Sequence, residues 1–161
     1  MIRLIAATDN KRGLAKNGQI PWNLPADKTR FRTLTLEHGA TVLMGRATYE
    51  QMGDYLKDHS GFVVSHSQLQ LPANYQLVSD LDSFMAGSKE DLWVIGGAAI
   101  YAGTIKYADE LYMTIIEADF NCDQFFPDYS GFKLKSSEDP LLENNLKFSY
   151  QLLTRVTPAL T

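Results

Sequence analysis

The chain has 161 residues, 45% hydrophobic and 21% charged, with 19 acidic against 15 basic side chains and a net charge of −4. That is the size of one domain with its own core, and the acidic balance argues against a protein that works by neutralising nucleic-acid phosphates. One cysteine, Cys122, excludes a disulfide framework or a cysteine-cluster metal site, and no apolar run approaches a membrane span. The stretch from Met1 to Ala7 is too short for a secretory leader, so a soluble, cytoplasmic protein of one domain (1–161) is expected.

Ile2 to Ala7 reads as a buried strand ending on turn residues. Asp9 to Leu24 follows without periodicity and carries Gly13, Gly18 and Pro21, the length and character of a candidate lid. Pro25 suits the first position of a helix on which Asp27, Phe31 and Leu34 share a face, and Gly39 ends it. Thr41 to Met44 predicts a strand, Gly45 its turn, and Arg46 to Met52 a helix. Phe62 to Ser65 and Tyr75 to Val78 predict strands, then a short helix at Asp82 to Met85. Leu92 to Ile95 is the most strand-like run, and Gly96-Gly97 opens a helix from Ala98 to Thr104. Leu111 to Glu117 is a further strand. Phe132 to Lys135 and Lys147 to Arg155 predict a closing antiparallel pair across a polar loop. Strands alternating with helices, then a hairpin, imply an α/β fold with a mostly parallel sheet.

Chemistry is concentrated at three places. Paired glycines after a strand, Gly96-Gly97, let backbone approach a ligand closely and point the free N–H groups of a helix start at phosphate. The same turn can equally be an ordinary strand–helix connection, and it is not the G-x-G-x-x-G dinucleotide fingerprint. Met44-Gly45-Arg46-Ala47-Thr48 repeats the device with a cation, which is either a phosphate ligand or a solvated arginine. Asp27 sits in a helical first turn on the face of Phe31 and Leu34. There it either faces water and favours the helix dipole, or is held inward to meet an amide-bearing or cationic heterocycle. His38, His59 and His66 show no metal spacing, no serine lies in a nucleophile elbow, and Cys122 has no base beside it, so no metal site is expected. Few acid–base groups and phosphate-cradling turns point to chemistry carried by a cofactor.

The ordered set Ile20-Pro21-Trp22-Asn23-Leu24-Pro25-Ala26-Asp27, Phe31, Val42-Leu43-Met44-Gly45-Arg46 with Thr48, Val94-Ile95-Gly96-Gly97 with Tyr101, and Phe126-Pro127-Asp128 resembles bacterial, chromosomal-type dihydrofolate reductases over essentially the whole chain. The resemblance implies an eight-stranded, mostly parallel sheet with a C-terminal antiparallel hairpin and about four flanking helices. It implies NADPH as cofactor, dihydrofolate as substrate, antifolates as inhibitors, and a monomer. Asp27 would be the catalytic carboxylate, joined by Thr114, with Trp22 holding a water. Ile5, Ala7, Phe31 and Met52 would wall the substrate pocket. Ala7, Ile20, Gly45, Arg46, Ala47, Thr48, Ser65, His66, Ile95, Gly96, Gly97, Ala98, Ala99, Ile100 and Tyr101 would line the cofactor, and Asp123 would tether the lid.

The sequence departs from the family's pattern at several positions. His59 stands where an arginine clamps the substrate's glutamate tail, so binding is expected to weaken as pH rises through the histidine's pKa. Lys57 or Lys28 could supply some of that charge. Ala47 and Ala99 replace frequent basic residues, leaving Arg46 and His66 to favour the 2′-phosphate, and Ala15 replaces a lid glycine. Two alternatives stay open: a reductase of the same fold acting on another heterocycle, such as the pyrimidine of riboflavin synthesis, and a weakly active nucleotide- or pterin-binding module.

Overall fold

The computed structural model describes residues 1–39 and 41–156; residues 157–161 of the expected domain lie outside the described residues. Strand β1 (Ile2–Thr8) leads through β2 (Gly13–Ala15) to helix α1 (Pro25–Glu37), then β3 (Thr41–Gly45), α2 (Arg46–Met52), β4 (Ser60–Val64) and β5 (Tyr75–Val78). Helix α3 (Leu81–Gly87), β6 (Leu92–Gly96), α4 (Ala98–Thr104) and β7 (Glu110–Ile116) follow, and then β8 (Gln124–Phe125), β9 (Phe132–Ser137), β10 (Leu141–Glu143) and β11 (Leu146–Arg155). The main sheet runs β10-β11-β7-β1-β6-β3-β4-β5, with β9 also paired to β11. From β5 to β7 every pairing is parallel; β11 enters antiparallel to β7.

The expected eight positions are therefore present, but nine strands fill them. β10 pairs with the start of β11 (146–148) and β9 with its end (151–155), so both share one edge. The polar loop expected between the tail strands thus contains a strand of its own. The stretch Asp9 to Leu24, read as irregular, contains β2, which pairs with β8 to make a separate two-stranded ribbon. A three-residue strand that pairs with two residues more than a hundred positions away leaves too little local pattern to be seen.

Helices cover both faces of the sheet, so the middles of its central strands, residues 4–7, 42–44 and 92–95, are apolar in succession rather than alternately. On β6, Leu92 and Val94 face one core with Leu4, Leu43, Met85 and Tyr101, while Trp93 and Ile95 face the other with Ile5, Val42, Met44 and Leu56. Phe31 and Leu34 of α1 pack against that second core, as their spacing predicts, although Thr35 is the helix's only fully buried residue. A third cluster of Leu24, Ile116, Phe148 and Tyr150 seats the start of α1 on the end of β7 and on β11.

Strand order sets the functional geography. β1 connects through α1 toward β3, whereas its neighbour β6 connects through α4 toward β7 on the opposite side. Connections that leave in opposite directions open a crevice at the carboxyl ends of the two strands. The pairing shows it: β1 and β6 are in register only from Ile2–Leu92 to Leu4–Val94, while β1 stays paired with β7 as far as Thr8. The Ile5 carbonyl at the divergence accepts a 2.6 Å bond from the buried Tyr101 hydroxyl.

Candidate active site

Asp27 hangs over this crevice because two contacts fix the entry of α1. The Ala26 N–H donates to Glu143 Oε1 of β10 at 3.1 Å, and the Asn144 side chain donates to the Asn23 carbonyl at 2.9 Å. Pro25 starts the helix, and Asp27 falls in its first turn, half-buried rather than turned to water. The Thr114 hydroxyl, on β7 beside Ala7 in the β1–β7 register, donates to Asp27 Oδ1 at 2.5 Å. Burial raises the carboxyl above its ordinary value and Glu143 adds to the rise; the Thr114 bond and the Arg30 guanidinium oppose it without cancelling it. Arg30 is held 4.0 Å from the ring centre of Tyr150. Tyr101 is raised too, first by burial and then by the Asp27 charge. The arrangement is a single carboxylate, one strong donor and hydrocarbon walls, suited to holding a flat donor edge in a poorly hydrated place.

The glycine turn forms the opposite wall. Gly96 has φ +130°, where side chains are strained, and a Cβ there would lie 3.3 Å from Thr48 Oγ1 and 3.5 Å from Tyr101 Oη. The Gly96–Gly97 peptide bond is cis. At Gly45 a Cβ would press on Ile100 at 3.2 Å. Gly45, Thr48, Gly96, Gly97 and Tyr101 therefore meet, with Ile95 and Ile100 buried behind them, Ala98 half-buried and Ala47 and Ala99 exposed. Backbone kept clear of side chains in this way is a fitting cradle for a nucleotide cofactor. Arg46 lies at its rim, paired with Glu50 at 2.8 Å. Ser65 is buried with its hydroxyl already engaged by both the N–H and the carbonyl of Ser67; His66 beside it is exposed.

The segment expected to act as a lid, residues 9–24, runs from the end of β1 to the start of α1. Gly18 at its tip accepts a 2.8 Å bond from Gln51 of α2, and Ile20 is 63% exposed beside it. Asp123 Oδ2 accepts from Asn17 N–H at 3.0 Å, and the Asp123 N–H donates to Ala15, which ties the lid to the 118–126 loop. Trp22 is half-buried, its ring tilted against Phe120 with centroids 5.3 Å apart.

Around α1, Phe31 stacks loosely on Tyr55 and His59, both at 6.2 Å, and Met52 is half-buried in the same cluster. Lys28 and Lys57 are exposed, and the Tyr55 hydroxyl donates to the Lys28 carbonyl. His59 is not placed as the sequence suggested. Its ring is 2% exposed and Nε2 lies 2.7 Å from Thr35 Oγ1, inside the core rather than at a tail-binding rim. The Thr35 hydroxyl donates to the Phe31 carbonyl at 2.8 Å, so Nε2 carries the proton and donates to Thr35; Nδ1 finds no partner. Burial, then the nearby Arg32, lowers this histidine below its ordinary 6.5, while Asp58 opposes the fall only in part. The expected pH-dependent contact from His59 does not fit a neutral, enclosed ring. The cation beside it is Arg32, paired with Asp58.

Gln51, Arg30, Arg32 and Asp9 were not singled out from the sequence. Arg30 follows Asp27 at i+3 and could have been noticed; Arg32, five residues on, lies off that face, and Gln51 and Asp9 depend on loop contacts that no local pattern records.

A single-domain α/β protein with a ligand crevice at the strand ends, walled by one carboxylate and one glycine turn, is what these elements define. The sequence model of the family described as dihydrofolate reductase matches residues 1–155. Among curated proteins, the dihydrofolate reductase of Bacillus subtilis is 34% identical over 157 residues, covering 95% of this chain and 92% of its own. The type 3 dihydrofolate reductase of Salmonella typhimurium is 36% identical over 150 residues, covering 90% and 91%. A segment of segregation and condensation protein A from Mycoplasmoides gallisepticum is 34% identical over 144 residues, 86% of this chain but 24% of that protein. The chain belongs to the dihydrofolate reductase family and is an enzyme that reduces dihydrofolate. The family generally uses a nicotinamide cofactor. Among the described residues, no helix is long and apolar enough to cross a membrane and no cluster could hold a metal ion.

Proposed function

We propose that the enzyme reduces the C6=N5 bond of 7,8-dihydrofolate with NADPH, adding a hydride at C6 and a proton at N5 to give tetrahydrofolate. The observation that carries this reading is the Thr114–Asp27 pair, 2.5 Å apart, set across the β1–β6 crevice from the Gly96-Gly97 cradle. Seated on that cradle, NADPH supplies the hydride. Gly45, Thr48, Gly96, Gly97 and Tyr101 would hold it, with Arg46 exchanging Glu50 for a phosphate, Ile20 closing from the lid and His66 at the adenosine edge.

On the other wall, Asp27 accepts hydrogen bonds from the pterin's amino and ring N–H edge and so fixes its face toward the donor. Its charge, in a site closed by the lid, favours the cationic pterin that forms as N5 is protonated. Among the described residues no side chain is set to protonate N5, so the proton comes from water held near Trp22. Ile5, Ala7, Phe31 and Met52 contribute apolar walls, and Lys28, Lys57 and Arg32 are the cations on the side where the anionic tail leaves the pocket.

The test is the loss of nicotinamide absorbance with purified enzyme, NADPH and dihydrofolate. Turnover with dihydrofolate is expected. Turnover only with a ribityl-pyrimidine, or tight NADPH binding without turnover of either, would overturn the proposal.

A further inference from the structure

One buried charge has no part in the chemistry proposed above. Asp9, the first residue after β1, is 2% exposed, although ionised carboxylates are almost never fully buried unless they are paired. Its partners are backbone N–H groups. Oδ1 accepts from Gly13 at 2.7 Å and from Lys11 at 2.9 Å, both in the root of the lid. Oδ2 accepts from Phe120 at 3.1 Å, in the opposite loop. One carboxylate therefore joins two segments separated by more than a hundred residues. Burial alone would raise Asp9, but the N–H groups of Lys11, Phe120 and Gly13, joined by the Cys122 thiol, outweigh it and hold the carboxyl below its ordinary value.

The surroundings are built tightly on this group. The Asn10 N–H donates to Ala118 at 3.0 Å, and the Phe126 N–H donates to Arg12 at 2.8 Å. A Cβ at Gly13 would come within 2.6 Å of Cys122 Cβ and 2.8 Å of Asp9 Oδ1, so a glycine is needed there for the two loops to close on each other. The same loop carries Phe120, on which Trp22 leans, and Asp123, which holds Asn17.

We infer that Asp9 is a positioning residue for the reaction: its buried carboxylate anchors the lid root to the 118–126 loop and thereby sets the lid, with Ile20 and Trp22, over the crevice. The inference rests on the reading under Proposed function. It names a group that touches neither substrate nor cofactor and acts through the two loops it joins.

Asp9→Asn separates the anchor from the turn. The amide oxygen can keep the Gly13 and Lys11 bonds, while the amide nitrogen faces the Phe120 N–H, donor against donor. Exchange of the Phe120 and Asn10 amides should quicken about tenfold or more, with the amides of β1 and β7 unchanged. Single-turnover hydride transfer should fall about tenfold at saturating substrate, with the Kd for dihydrofolate within about twofold of wild type. Asp9→Ala, which loses all three bonds, should fall further on both measures.

Hydride transfer within about twofold of wild type in both variants, or unchanged exchange at Phe120, would overturn the inference. So would exchange quickened uniformly across the sheet, which marks a purely structural loss. If the wild-type protein itself fails to turn over dihydrofolate with NADPH, the proposed function falls. The exchange pattern and NADPH-induced quenching of Trp22 then decide whether Asp9 sets the lid.

Discussion

Replacing Asp27 with asparagine should make the protein more stable and far less active. The carboxyl is raised in the folded state, so it binds its proton more tightly there than in the unfolded chain. For such a group the fold loses stability as pH rises from the unfolded value, near 3.8, through the folded one, and the loss persists at neutral pH. Asparagine removes the charge and with it the loss. It also weakens the Thr114 bond, from roughly 1.5–3 kcal/mol for a charged acceptor to about 1 kcal/mol for a neutral one. Because burial outweighs Thr114 and Arg30 in the wild type, the net change at pH 7 should be stabilising and raise Tm, each kcal/mol gained being worth about 2–4 °C at this chain length. Well below pH 3.8, where the wild-type carboxyl is protonated in both states, the gain should vanish.

Activity should move the other way. Removing an oriented charge from a transition state in a closed site costs on the order of 10²–10³ in rate. Thermal melts of both proteins at neutral and acid pH, with single-turnover hydride transfer at neutral pH, measure both effects. A variant that melts below wild type at neutral pH would refute the argument that burial dominates Asp27. One that keeps more than about a tenth of the wild-type rate would refute its place in the chemistry.

Three further outcomes follow from the same geometry. Arg30 has no carboxylate within ion-pair distance among the described residues, and with Thr114 it opposes Glu143 and burial at Asp27, which Tyr55, Tyr101 and Tyr150 also adjoin. Arg30→Met should therefore move the acid limb of the rate profile to higher pH and Arg30→Lys should restore it; an unmoved limb refutes the role. The KM for dihydrofolate should show no step from His59 between pH about 7 and 8, since the buried ring is already neutral there. A wild-type step that disappears in His59→Gln would show the imidazole at the tail after all. Gly96→Ala, at φ +130° and 3.3 Å from Thr48 Oγ1, should weaken NADPH at least about tenfold by titration, and wild-type affinity would remove the cradle from the cofactor site.

The parallel core was legible because burial on both faces makes residues 4–7 of β1, 42–44 of β3 and 92–95 of β6 apolar runs, each followed closely by a turn residue. The first turn of α1 was legible from Pro25 and from the spacing of Asp27, Phe31 and Leu34. What could not be read were contacts across long separations. β2 is a strand only because β8 lies beside it, and β10 only because β11 turns back on it. His59 shows the limit most clearly. Sequence position placed it at the substrate's tail, but Thr35, one turn after Phe31, accepts its ring N–H and the core encloses it. Which way a side chain turns depends on partners that a linear pattern does not rank.

Charge makes the same point about function. The net charge of −4 suggested that a few cations, chiefly Arg46, must overcome a repulsive field to dock two anionic ligands. The structure shows Arg46 already paired with Glu50, and Arg32 with Asp58. These pairs do not close the site. Both are solvent-exposed, and an exposed i,i+4 pair is worth only about 0.3–0.5 kcal/mol, far less than a charge-assisted bond to phosphate. Arg46 is thus held near the glycine cradle by a contact weak enough to exchange. Asp9 and Asp27 differ from the surface acids for the opposite reason. Asp9 is fully buried and Asp27 half-buried, and each is bonded to uncharged donors of the fold rather than to an exposed cation, so an incoming anion has nothing to release there.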